Sequence, residues 1–250
     1  DHQDQSFFLY VPHSMPHTPL FVSDAYRDHS AAGIYGDVIE ELDWSVKQIV
    51  ETIKTAGLEE NTLIVFTSDN GPWTRFETHG GSAGLLRDGK GTTFEGGMRV
   101  PGIFWWPNRI VPDVIPDIGS SMDLFTTALA VAGGTVPADR PIDGIDLSPV
   151  LFGNGSSPRR TMAYYRMGEL FAFRLDAHKV HFVTEGRYTL GPPRTEHDPP
   201  LLFNLNVDPG EQYDVSESQP DVLAEVLEAV AQHQSTMTTA EPLFDLRSQP

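Results

Sequence analysis

Residues 62–99, TLIVFTSDNGPWTRFETHGGSAGLLRDGKGTTFEGGMR, decide how this chain folds and what it carries. The run Leu63-Ile64-Val65-Phe66 is apolar at successive positions, the pattern of a strand buried on both faces. It gives way to Ser68-Asp69-Asn70-Gly71-Pro72, where Gly-Pro ends regular structure. Seven glycines then fall between Pro72 and Arg99, together with Arg87 and Lys90. A carboxylate and an amide at a strand end, followed by a flexible cationic loop, are expected to form a site for a metal and an anion. Ligands in open α/β sheets sit beyond the carboxyl ends of the strands, where Asp69 and Asn70 fall. Both residues offer hard oxygen donors suited to Ca2+ or Mg2+, although Asp-Asn-Gly is also a common turn sequence.

Lys90 invites a comparison with the nucleotide-binding P-loop, since Gly84-x-x-x-x-Gly89-Lys90 nearly spells it. Gly91 stands where Ser or Thr must reach Mg2+, and the preceding strand ends far upstream, so the NTPase reading fails. What survives is simpler. Glycines let the backbone approach a ligand closely, and a lysine ammonium is a point charge for an anion.

Upstream, residues 36–57 are the clearest helix, with Val38, Ile39, Leu42, Val46, Ile49, Val50 and Ile53 at helical spacing. Its Asp37, Glu40 and Glu41 are expected to form a solvated acidic face. A helix leading into a buried strand is the unit of an α/β sheet with parallel strands. Residues 6–11 (SFFLYV) are a short strand candidate entered from a loop, and the following VPHSMPHTPLF is a proline-stiffened loop with His13 and His17. On the residues alone, both histidines read as ordinary solvated imidazoles.

Downstream, residues 100–106 (VPGIFWW) predict another strand and residues 120–133 a helix, with Ser120 and Asp123 spaced as a capping box. Pro, Gly and Asp concentrate in residues 134–159, and a boundary is placed there. Residues 162–165, 170–175, 179–184 and 201–205 are strands with no helix between them, which predicts a small antiparallel sheet. Asp208-Pro209-Gly210 is a turn, and residues 220–233 make an amphipathic closing helix.

Composition bounds the function. The chain has 250 residues, with 17 Lys and Arg against 35 Asp and Glu, a formal charge of -18. A nucleic-acid binder needs a basic face, so no nucleic-acid partner is expected. A small anionic substrate stays open, because local cations can dominate inside a cleft. There is no cysteine, hence no disulfide and no thiolate nucleophile. No apolar run approaches membrane-spanning length.

TLIVFTSDNGP, GGSAGLLRDGKGTTFEGGMRVPGIFWWP and PHTPLF, with YGDVIEELDWSV between, closely resemble the arylsulfatase family. LLFNLNVDPGEQYDV resembles the C-terminal part of the same family, so the likeness runs over most of the chain. The resemblance implies the C-terminal part of an alkaline-phosphatase-like α/β domain over residues 1–150. A small antiparallel sheet with a helix would follow over residues 151–250. It implies sulfate ester hydrolysis at a formylglycine with one Ca2+ ion. The substrate would be a small sulfate ester or a sulfated sugar, and the location periplasmic, secreted or lysosomal. By the same resemblance Asp69 and Asn70 are two of the calcium ligands. Lys90, in GKGTT, holds the substrate sulfate, and His17, in PHTP, contacts the sulfate and assists the leaving group. His13, His79, Arg87, Arg99 and His197 have no firm counterpart.

The family's nucleophile is a Cys or Ser in a C/S-x-P-x-R motif, oxidised to formylglycine. Neither Ser14-Met15-Pro16-His17-Thr18 nor Ser148-Pro149 supplies it. The family's first aspartate pair, and its first Lys and His around the sulfate, are also missing. The chain is therefore expected to be the C-terminal portion of a sulfatase, with half a metal site, no nucleophile and no activity alone. A phosphatase or phosphodiesterase of the same superfamily, and a non-catalytic binding relative, are the alternatives.

Overall fold

A computed structural model describes residues 4–187 and 191–237. Two small sheets and five α-helices form in it, and the order of elements follows the periodicities above. Helix α1 spans Gly33–Thr55 and is followed by strand β1, Ile64–Thr67, and after the glycine-rich loop by the one-turn helix α2, Glu95–Met98, and strand β2, Gly102–Trp105. Then come α3 (Asp123–Val131), the single turn α4 (Ser148–Leu151), strands β3 (Thr161–Arg166), β4 (Glu169–Leu175), β5 (His178–Thr184) and β6 (Thr195–Asn204), and helix α5 (Pro220–Ser235).

The first sheet corrects two expectations. β1 pairs with β2 antiparallel, Val65 opposite Phe104 and Phe66 opposite Ile103, where parallel strands were expected. A parallel pair needs a strand–helix–strand crossover, and among the described residues no strand precedes α1. Nor is β1 buried on both faces: Phe66 keeps 39% of its surface exposed, and its partner Ile103 on β2 keeps 56%. Residues 6–11 are not a strand either. A strand exists by its ladder, no described strand pairs with this stretch, and Phe8 stands 86% exposed. Residues 1–3 of the stretch expected to lead into it lie outside the described residues.

The acidic turns of α1 are also not a solvated face. Asp37 is buried and accepts three backbone amides, from Asp28 at 3.0 Å, His29 at 3.0 Å and Ser30 at 2.6 Å. Glu41 accepts the Ser23 amide at 2.9 Å, and Glu40 pairs with His29. Three carboxylates thus shape the loop between the His17 segment and α1. Asp37 and Glu41 satisfy backbone donors that a tight turn would otherwise leave bare, and Glu40 holds the His29 side chain.

The second sheet is antiparallel in the order β3-β4-β5-β6, as the pattern of residues 162–205 predicts. Alternate residues point to opposite faces. One face carries Phe173, Val180 and Leu202, and α5 lays Val226 and Val230 across them.

Polar residues occupy other buried positions of the same strands. Lys179 has no exposed surface. Its ammonium lies 3.0 Å from Glu95 Oε1 and 3.1 Å from Glu211 Oε1, donates to Thr93 O at 2.7 Å, and sits 4.3 Å from the Tyr164 ring centroid. Glu211 Oε2 accepts the Glu95 amide at 2.6 Å, and its Oε1 faces His181 Nε2 at 2.7 Å. Burial alone would raise the Glu211 carboxyl, but the Lys179 ammonium and the His181 hydrogen bond outweigh it and leave it below the usual range. Burial pushes His181 the other way, toward its neutral form, against the pull of Glu211. The neutral ring then donates from Nε2, and Nδ1 has no partner among the described residues.

A second buried pair, Arg159 with Asp123, ties the segment before β3 to α3. Asp123 also accepts the Ser120 amide at 2.8 Å, one half of the expected capping box, and the Ile145 amide at 2.8 Å. The helix therefore starts at Asp123, and this residue's larger task is the ion pair.

Removing Lys179 leaves two buried carboxylates facing each other. Lys179→Met is expected to cost about 3–5 kcal/mol of unfolding free energy, measured by urea titration with the slope unchanged. His181, with its pKa lowered from 6.5, takes up a proton more readily unfolded than folded, and Glu211, held low, does the same at more acid pH. Both make stability fall with acid, from about pH 6.5 downward. Melting temperatures across this range are expected to drop less steeply in His181→Asn.

Candidate active site

The site begins where β1 ends. Asp69, exposed, and Asn70, half-buried, follow Thr67 after one residue, Ser68, and the Asn70 amide nitrogen donates to Asp69 Oδ1 at 3.2 Å and to Gly71 O at 3.3 Å. The two side chains therefore lie side by side at the carboxyl end of the strand. Hard oxygens in this position suit a hard divalent cation, but two residues cannot fill the six to eight positions Ca2+ takes. Among the described residues, no group of three or more His, Asp and Glu is arranged to hold a metal ion.

From there the chain turns back on itself, and glycine makes the turn feasible. A Cβ on Gly71 would lie 1.8 Å from Gly96 O, and one on Gly89 would lie 2.4 Å from Pro72 O. With only hydrogens at these positions, Gly71 N reaches Gly97 O at 3.0 Å and Lys90 N reaches Pro72 O at 2.9 Å. The loop expected to be flexible is thus closed by backbone bonds. Lys90 is delivered to within two residues of Asn70 across that last bond.

The partner that sequence reasoning missed is Trp73. Its ring lies 5.0 Å from Lys90 Nζ and 5.2 Å from the His17 ring centroid, with Phe76 edge-on at 4.7 Å. An aromatic residue directly after Gly-Pro, on a polar loop, is the signal that could have exposed it. His17 is exposed, and its Nδ1 faces Thr18 O at 2.8 Å. A carbonyl only accepts, so Nδ1 carries the hydrogen and Nε2 is left to face other chemistry. Lys90 and His17, distant in sequence, meet at one ring, and Asp69-Asn70 begins the turn that carries that ring.

Three of the residues without firm counterparts, His13, His197 and Arg87, have structural partners. His13 Nε2 meets Ser45 Oγ of α1 at 3.0 Å, and His197 meets Thr184 Oγ1 at 2.8 Å. Arg87 donates to Glu211 O at 2.7 Å and lies over the Phe94 ring at 4.0 Å. Two hollows of the fold are lined along α1, by Tyr26, Glu40 and Trp44 in one and by Leu20, Arg27 and Asp37 in the other. Neither is lined by His17, Asp69, Asn70 or Lys90.

One stretch, Ser156-Ser157-Pro158-Arg159-Arg160, spells C/S-x-P-x-R letter for letter, contrary to the expectation that the chain lacks it. Ser156 is exposed, while its neighbours are engaged elsewhere. Ser157 N donates to Asp117 Oδ2 at 2.6 Å and Ser157 Oγ to Ile118 O at 2.7 Å. Arg159 is buried on Asp123, and Arg160 pairs with Asp176 in the β4–β5 turn. These partners belong to the joint between α3 and the second sheet and not to residues 62–99.

Comparison with known proteins accords with this architecture. Bovine (Bos taurus) arylsulfatase A is 43% identical over 92% of this chain, and dog (Canis lupus familiaris) N-acetylgalactosamine-6-sulfatase is 40% identical over 96%. The chain spans about half the length of these relatives, 48% of the first and 50% of the second. The crystal structure of PsFucS1 sulfatase from Pseudoalteromonas sp. superposes with a TM-score of 0.81 at 30% identity, covering 88% of this chain and 46% of that one. This likeness identifies the fold as the α/β fold of sulfatases with its C-terminal antiparallel sheet. A model of the C-terminal region of aryl-sulfatase matches residues 157–249. Because the sulfatase model matches residues 1–134, more than half of the chain, this chain belongs to the sulfatase family.

Proposed function

We propose that this chain supplies the C-terminal half of the catalytic centre of a sulfuric ester hydrolase. The observation that carries the reading is the meeting of Lys90 and His17 at the Trp73 ring, on a turn that starts from Asp69-Asn70. In this reading residues 1–150 belong to the α/β domain and residues 151–250 to the domain of the antiparallel sheet.

Cleaving a sulfate ester builds negative charge in two places, on the sulfuryl oxygens and on the departing alcohol oxygen. The Lys90 ammonium stabilises the first, from a loop whose closed backbone needs no reorganisation when substrate arrives. His17 serves the second. With Nδ1 committed to Thr18 O, the protonated ring has Nε2–H to donate to the leaving oxygen. Asp69 and Asn70 would hold Ca2+ together with ligands from outside this chain. When bound, the ion adds electrostatic stabilisation of the sulfuryl oxygens. The formylglycine is likewise assigned outside this chain, since Ser157, Arg159 and Arg160 of the stretch after Gly155 are engaged in packing.

The likenesses to an arylsulfatase and to an N-acetylgalactosamine-6-sulfatase support sulfate esters of aryl alcohols or sugars as substrates. In this reading the protein works outside the cytoplasm, in a periplasm, a lysosome or the exterior. No helix among the described residues is long and apolar enough to cross a membrane.

The test uses the protein with its complete catalytic centre and p-nitrophenyl sulfate as substrate. Lys90→Ala and His17→Ala are each expected to lower kcat/KM by about 10²–10³-fold. Wild-type turnover in both would remove the assignment. Ser156→Ala is expected to leave turnover unchanged, and loss of activity there would return the nucleophile to this chain.

A further inference from the structure

The meeting of Lys90 and His17 on one ring has a consequence for how the centre is built. A lysine on a glycine-rich loop samples many rotamers, and ordering it only when an anion binds weakens that binding. Trp73 removes that freedom from both polar groups. The ammonium sits 5.0 Å from its centroid, inside the range over which an aromatic quadrupole attracts a cation. The imidazole sits 5.2 Å from it, tilted by 50°. Trp73 is itself fixed. Phe76 meets it edge-on at 4.7 Å, and the Lys90 N–H to Pro72 O bond pins the backbone beside it.

We propose that Trp73 is the positioning residue of this centre, setting the Lys90 ammonium and the His17 imidazole in place for a sulfate ester. The inference rests on the sulfatase reading above and deepens it. Trp73 acts through its two neighbours and does not touch substrate.

The experiment is a double-mutant cycle in the protein with its complete catalytic centre, read with p-nitrophenyl sulfate turnover and with inhibition by inorganic sulfate. Trp73→Leu is expected to raise KM and the sulfate inhibition constant between about twofold and thirtyfold, the range of a cation–π contact. Trp73→Phe, which keeps a weaker ring, is expected to recover much of the loss, a rescue that a purely structural role would not show. In a Lys90→Ala background, Trp73→Leu is expected to add only the smaller loss that passes through His17. Wild-type constants in Trp73→Leu would overturn the proposal. So would an undiminished effect of Trp73→Leu in the Lys90→Ala background, which would mean that Trp73 does not act through Lys90. If Trp73→Leu does not fold, the Trp73→Phe constants decide, alone and combined with Lys90→Ala. If Lys90→Ala is impaired while Trp73→Leu is not, only the positioning role falls. If Lys90→Ala and His17→Ala are both normal, the sulfatase reading falls with it.

Discussion

Lys179 puts a full positive charge where no water reaches it, and much of the molecule is arranged around answering that charge. An ammonium moved out of water loses several kcal/mol of hydration that only close anionic and dipolar partners offset. Here the partners come from separate parts of the chain. Thr93 and Glu95 end the glycine-rich loop, Glu211 lies in the turn after β6, and Tyr164 stands on β3. None of them alone would make Lys179 tolerable. The ammonium is satisfied only when the loop has docked on the second sheet, so the charge enforces one relative placement.

The same contact orders the glycine-rich loop. Glu211 grips it twice, through its carbonyl to Arg87 and its carboxylate to the Glu95 amide. Arg187, at the end of the β5 segment, pairs with Asp88 between these points. Lys90 lies inside the strapped segment, so the sheet holds the loop bearing the lysine proposed above to bind sulfate. Residues 62–99 and the antiparallel sheet thus form one working unit.

Much of this was legible in the sequence where the signal is local. Helical spacing gave α1 and α5, alternating strands without helices gave the second sheet, and Asp69-Asn70-Gly71 marked the end of β1. What was not legible depends on partners far along the chain. Residues 6–11 have the aromatic content of a strand but no ladder to join. Asp37 looks like any acidic residue of a helix surface until three amides of the preceding loop turn toward it. Lys179 and His181 sit in β5 with the alternation of a half-polar strand, and nothing local says that their side is the buried joint. The glycines misled most. They read as flexibility, yet Gly71 and Gly89 are there so that backbone can press on backbone.

The account therefore stands or falls on whether the second sheet holds the Lys90 loop. Amide hydrogen exchange across residues 92–97, compared between the wild type and Glu211→Ala, tests this most directly. The expected result is loss of protection at Glu95 and Gly96 while Phe173 and Val180, deep in the sheet, stay protected. Unchanged protection at Glu95 and Gly96 would contradict it, because the loop would then hold its shape without the joint.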